Sequence, residues 1–175
     1  MQDTAQMSEI ACKAWLLPTG SIHVAIGEFE LVHIIAGWQR YIPVPRSPVW
    51  CHHVFLWQGC LLPLFDLENY INSAQGKVET SYSNTSDIVG IIAYENQRGE
   101  IQYGGLKLNA PPVIRVVSDG KMCDYPLSYP GWSKIALSCF KDPDIGPVPI
   151  LDIQRIFCAK SQATATTTNS AEKQP

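Results

Sequence analysis

The sequence reads as a mainly β protein made of small barrels in two related lobes, with few short helices. Three observations lead there. Short runs of apolar, aromatic and β-branched residues recur between turn signals, which is the pattern of strands joined by tight connections. The 175 residues include 12 Gly and 13 Pro, punctuation that favours small β-barrels over a parallel sheet with crossover helices. Two stretches, Pro63–Ile71 and Pro149–Phe157, repeat one pattern of Pro, two apolar, Asp, apolar, two polar and two apolar residues.

Taken in order, Cys12–Leu17 and Ile22–Ile26 flank Pro18-Thr19-Gly20-Ser21 and predict a hairpin. Val49–Trp57 predicts a strand whose alternation sets Trp50, His52, Val54 and Leu56 on one face and Cys51, His53, Phe55 and Trp57 on the other. Gln58-Gly59 turns the chain into Cys60–Phe65. Asp87–Tyr94 and Ile101–Asn109 flank the turn-rich Glu95–Glu100. In the latter strand the apolar phase slips between Ile101/Tyr103 and Leu106/Leu108, and the paired Gly104-Gly105 predict a β-bulge there. Val113–Val117 and the turn Ser118–Lys121 continue the pattern.

In each of the repeated stretches a strand runs into an Asp, and beyond it apolar residues fall at i, i+3 and i+4, as on one helix face. Asp66 and Asp152 therefore read as N-caps, accepting hydrogen bonds from the free N–H groups of a short helix. That role accounts for both carboxylates better than an acid/base pair does. The polar interval 73–86 is read as a surface loop or the joint between the lobes, and residues 1–9 and 161–175 as disordered ends around a domain spanning 10–160, because they offer little apolar surface to bury.

Composition narrows the function. Thirteen Lys plus Arg against sixteen Asp plus Glu leave a net charge of −3, which speaks against a nucleic-acid partner held by bulk charge. Charged residues make up only 17% of the chain, so some apolar surface must stay uncovered and serve partners. The six cysteines, Cys12, Cys51, Cys60, Cys123, Cys139 and Cys158, form no C-x-x-C pair and read as reduced thiols packed as small hydrophobes in a cytoplasmic protein. The opening MQDTAQMSEI lacks the apolar core of a signal peptide, and the apolar stretch Val54–Leu67 is too short and too interrupted to span a bilayer. Cys51, His52, His53 and Cys60 match no zinc spacing, and alternate strand residues point apart, so no metal is expected. No G-x-S-x-G or phosphate loop appears, and His23 and His33 read as half-buried structural residues.

The stretch Pro43–Ile71, with Pro48, the Trp57-Gln58-Gly59 turn, Pro63, Asp66 and Leu67 in register, resembles the signature of CheW-like chemotaxis adaptors. Trp50 and Trp57 bring it nearer to the PilI and ChpC branch, which serves type IV pilus and twitching systems. Leu106–Val113 and Ile150–Ile153 resemble later elements of that family in the same order, so the likeness spans roughly 12–158. The resemblance implies two five-stranded β-barrels and a scaffold with no reaction centre or cofactor. It would couple the tip of methyl-accepting receptors to the regulatory domain of a CheA-type histidine kinase, and be monomeric alone. It implies a partner-binding role for Trp57 and Gln58 and, through a charge pair in the family, for Glu30; Pro48, Gly59, Pro63, Asp66 and Asp152 would be structural. The chain departs from the signature at His53, where the family has Gly, and at Gln58, where it has Arg, and Gln58 can hydrogen-bond a partner but not form an ion pair. The rival reading is a small ligand-binding or enzymatic β-barrel with a concave pocket.

Overall fold

The computed structural model describes residues 11–37, 39–77 and 88–158, so the expected disordered ends and most of 73–86 lie outside the described residues. The first sheet contains β1 (Ala11–Thr19), β2 (Ile22–Gly27), β9 (Val113–Ser118), β10 (Ala136–Asp142) and β11 (Gly146–Leu151), in the order β10-β11-β2-β1-β9. The second contains β3 (Leu31–Ala36), β4 (Ile42–Pro43), β5 (His53–Trp57), β6 (Cys60–Phe65), β7 (Ile88–Glu95) and β8 (Ile101–Leu108), in the order β3-β7-β8-β6-β5-β4. The helices are α1 (Leu67–Ala74) and α2 (Ile153–Cys158). The mainly β expectation holds; the strand count is five and six, the sixth being the two-residue β4.

Both sheets curl on themselves. In a flat sheet β3 and β5, four positions apart, would lie about 19 Å from each other. Yet the rings of His33 on β3 and Trp57 on β5 are 6.3 Å apart. In the first sheet an isolated bridge between Met122 and Phe140 returns the chain from the end of β9 onto β10. Phe55, Leu62, Leu64, Val89 and Ile91 fill the second barrel, and Ala14, Leu16, Ala25, Val117, Phe140 and Val148 fill the first. The largest cluster lies between the barrels and includes Leu17, Ile26, Phe65, Leu67, Ile92, Leu106, Trp132, Leu151 and Ile153.

The repeated stretches belong to a duplication that is interlocked. Each half of the chain is a hairpin, a strand, a second hairpin and a helix: β1-β2, β3, β5-β6, α1 and then β7-β8, β9, β10-β11, α2. The opening hairpin of each half sits in the lobe completed by the other half. Thus β1 pairs with β9 and β2 runs parallel to β11, while β7 pairs with β3 and β8 runs parallel to β6. Registers match residue by residue: Phe55 faces Leu62 as Phe140 faces Val148, and Leu64 meets Gly105 as Ile150 meets Ala25. The lobes therefore join at 28–30 and 109–112, where the chain crosses between sheets. The chain between α1 and β7 separates the two sequence halves, β6 before it and β7 after it belonging to one sheet; most of the interval 73–86 lies outside the described residues.

The N-cap reading is borne out. Asp66 Oδ1 accepts the Asn69 amide at 2.9 Å and Asp152 Oδ1 the Arg155 amide at 3.0 Å, as short helices with unsatisfied first-turn donors require. Each cap also holds a cation: Lys107 Nζ lies 3.1 Å from Asp66 and Arg155 Nε 2.9 Å from Asp152.

Two local expectations fail. Val49–Cys51 is a 3-10 turn rather than strand, so Trp50 and His52 share no face with Val54 and Leu56; Trp50 packs edge-on against Tyr70 instead, with ring centres 5.5 Å apart. The ladder from Ile88↔Leu108 to Glu95↔Ile101 is unbroken, so there is no bulge at Gly104-Gly105. The glycines are there because aromatic rings crowd both faces of β8. A Cβ on Gly104 would collide with the ring of Phe157, and one on Gly105 with that of Phe55. The phase changes because Leu106 and Leu108 face the core between lobes whereas Ile101 and Tyr103 stand at the open end of the second barrel.

Candidate docking site

The end of the second barrel is shaped by the β5–β6 turn. Trp57 pairs with Cys60 across a two-residue loop in which Gln58 has φ 48° and Gly59 φ 81°. Positive φ at both central residues is the type I′ geometry, whose twist matches the flanking strands. Glycine takes it without penalty, but Gln58 is held in the left-handed region at a cost of about 1–2 kcal/mol. Such strain persists only where the surroundings impose it, and it concentrates at functional sites.

The tip so formed is apolar on both faces. Outward, Leu56 and Leu61 stand directly opposite one another, 62% and 60% exposed. On the other face the half-buried Trp57 packs on the barrel filling and meets Tyr103 at 5.3 Å, with His33 beyond it. Tyr103 is itself 39% exposed, and Ile101 extends the apolar rim along β8. Trp57 is thus both a plug and a surface residue, while Gln58 and Gly59 are exposed.

Glu30 lies at the crossing from β2 to β3. Its Oε2 accepts the Gly27 amide at 2.6 Å, so the carboxylate is turned into the crossing. Burial pushes its pKa up, the Gly27 hydrogen bond opposes that rise, and the negative charge of Asp152 adds to it. No hydrogen bond among the described residues joins Glu30 to Gln58. The backbone nevertheless brings the two toward one end of the barrel, because the Glu30 carbonyl accepts the Ala93 amide and Ala93 stands opposite Tyr103. The neighbouring Phe29 is 88% exposed.

The remaining motif residues are structural in position. Pro48 precedes the 3-10 turn, Gly59 completes the type I′ turn, Pro63 lies on β6, and Asp66 and Asp152 cap helices. Sequence reasoning missed Leu56, Leu61, Phe29 and Tyr103 as surface residues. The signal for the first pair was available, because a two-residue turn at Gln58-Gly59 puts residues 56 and 61 face to face. His33 is exposed rather than half-buried, and so are Cys12 and Cys60. Among the described residues no group of three His, Cys, Asp or Glu side chains stands close enough to hold a metal, and no helix is long and apolar enough to cross a membrane.

The fold and this rim together define a class: two interlocked β lobes whose interiors are filled by side chains, with an apolar hairpin tip presented at the end of one of them. A scan against protein-family models and a search of the curated proteins find no match. Among solved structures the chain is similar to the scaffolding protein TtCheW from Thermoanaerobacter tengcongensis, with a TM-score of 0.60, 14% sequence identity, and 87% of this chain and 91% of that chain covered. The chain has the CheW fold.

Proposed function

We propose that this protein is a chemotaxis signal-transduction adaptor that docks a CheA-type histidine kinase, through its regulatory domain, to the tips of methyl-accepting receptors. It works in the cytoplasm as a monomer that assembles only with its partners, and it needs no cofactor and no catalytic centre. Trp50 and Trp57 favour the PilI and ChpC branch, hence a type IV pilus motility system.

The observation that carries this reading is the β5–β6 tip: Leu56, Trp57 and Leu61 held at the surface by a strained Gln58. An aromatic anchor beside exposed leucines is the composition of a docking hot spot. Gln58 supplies a hydrogen-bond donor and acceptor at its edge. Glu30 contributes by bracing the crossing beside Phe29, since its carboxylate is already engaged by Gly27. The barrel interiors also favour docking over ligand enclosure, because Phe55, Val89 and Ile91 in one and Ala25 and Val148 in the other are fully buried by packing.

The test is co-purification of the full chain with a CheA-type regulatory domain, with and without a receptor tip fragment. The reading expects a complex with the kinase domain that also retains the receptor fragment. A chain that is folded and captures neither contradicts it.

A further inference from the structure

The first barrel carries a pair of thiols that the docking reading does not use. After β9 the chain returns to β10 through the Met122↔Phe140 bridge, so the next residues along, Cys123 and Cys139, stand opposite each other. The Cys123 amide donates to the Cys139 carbonyl at 3.0 Å, and the two Sγ atoms are 3.7 Å apart. Directly opposed residues on antiparallel neighbours have Cα atoms about 4.5–5.5 Å apart and side chains on the same face, within or near the span a disulfide uses. Cys139 is buried, whereas Cys123 is partly exposed and reachable from solvent.

We propose that Cys123 and Cys139 form a peroxide-sensitive clasp that closes the first barrel covalently. The Cys123 thiol releases its proton and the thiolate attacks one oxygen of hydrogen peroxide; an S–O bond forms, the O–O bond breaks and the hydroxide that leaves takes up that proton as water. The Cys139 sulfur then attacks the Cys123 sulfur, forming the S–S bond and breaking the S–O bond. The departing hydroxide carries off the Cys139 proton as water. Two thiols are oxidised to one disulfide while one peroxide is reduced to two waters. The order follows from the surroundings: burial, with Cys123 beside it, pushes the Cys139 thiol up to about 12, so it resolves rather than initiates. The clasp adds a covalent link to a closure made by the Met122↔Phe140 bridge, the Cys123 amide hydrogen bond and the Arg115–Asp142 ion pair, and it lies in the other lobe from the docking tip.

The experiment treats the folded, dilute full chain with hydrogen peroxide, blocks free thiols and maps the peptides. The expected product is a Cys123–Cys139 cross-linked peptide, two hydrogens lighter than the reduced pair and restored by dithiothreitol. The unfolding temperature should rise by roughly 6–12 °C, as closing a loop of this size does. Cys123→Ser should leave the untreated unfolding temperature near that of the parent and abolish both the cross-link and the rise. Oxidation that stops at a sulfinic acid on Cys123 with Cys139 still reduced overturns the proposal. So does a cross-link that leaves the unfolding temperature unchanged.

Discussion

The hairpins β5–β6 and β10–β11 occupy equivalent places in their lobes, and their tips are built from opposite chemistry. Counting along the matched ladders, Leu56 corresponds to Lys141, Trp57 to Asp142 and Leu61 to Pro147. At the first barrel's end Asp142 is 1% exposed and its carboxylate meets Arg115 Nε at 3.0 Å. It also accepts the amides of Asp144 and Ile145, making the three-residue turn before Gly146 a self-contained polar knot. The second barrel closes the same gap with Trp57 against Tyr103. Since a charged pair stops one barrel, the fold does not require an aromatic plug with leucines beside it in the other. The β5–β6 tip exposes two leucines at about 60% where the β10–β11 tip exposes Ile145 at 37%, and that larger apolar surface is more than closing the barrel needs.

The comparison breaks most readily at Asp142. Asp142→Ala would strip the Arg115 pair and orphan two turn amides, costing about 3 kcal/mol by chemical denaturation at neutral pH. Burial alone would raise this carboxyl's pKa, but the Asp144 amide, Arg115 and the Ile145 amide together hold it below its ordinary 3.8. The stabilisation is therefore complete above about pH 4 and is lost as pH falls through the lower folded-state value. The difference in stability between parent and variant should accordingly stay level from pH 7 to about 4 and narrow below it. A difference that widens in acid would refute the network.

Gly105 and Ala25 are the next contrast, being equivalent inward positions on β8 and β2. A methyl fits at Ala25, but at Gly105 it would strike the Phe55 ring and come within 3.1 Å of Val89. Gly105→Ala should cost about 2 kcal/mol through overpacking, read as a lowered denaturation midpoint with an unchanged slope. A neutral outcome would mean that the second barrel is looser than the packing implies. Smallest is Gln58→Gly, which relieves the left-handed strain and should gain about 1 kcal/mol while removing the side chain from the tip. Stability that falls instead would show that Gln58 is held there by contacts worth more than its strain.

Much of this was legible in the sequence. Strand and turn punctuation located β1, β2 and β5 to β9, and the Pro-to-Asp repeat identified β11 and both helix caps, because those signals are local; β3, β4 and β10 went unread. The pairing of the strands was not legible. That β1 completes a lobe with β9 depends on contacts a hundred residues apart, so the echo between halves did not reveal which strands share a lobe. Gly104-Gly105 was misread for a related reason: two adjacent glycines signal either a bulge or rings pressing from both sides, and Phe55 and Phe157 lie far along the chain. Trp57 was legible as a candidate, but Leu56 and Leu61 take their importance from the contrast with Lys141 and Pro147, which needs the register.

The central claim, docking through the β5–β6 tip, is tested most directly by calorimetric titration of a CheA-type regulatory domain into the parent, Trp57→Ala and Lys141→Ala. Trp57 is half-buried, so its removal should lower stability by only about 1–2 kcal/mol and leave a folded protein. The account predicts a Kd at least about tenfold weaker for Trp57→Ala, near 1.4 kcal/mol, and an unchanged Kd for Lys141→Ala on the equivalent tip. Equal affinity of the parent and a folded Trp57→Ala, or a loss confined to Lys141→Ala, would contradict it.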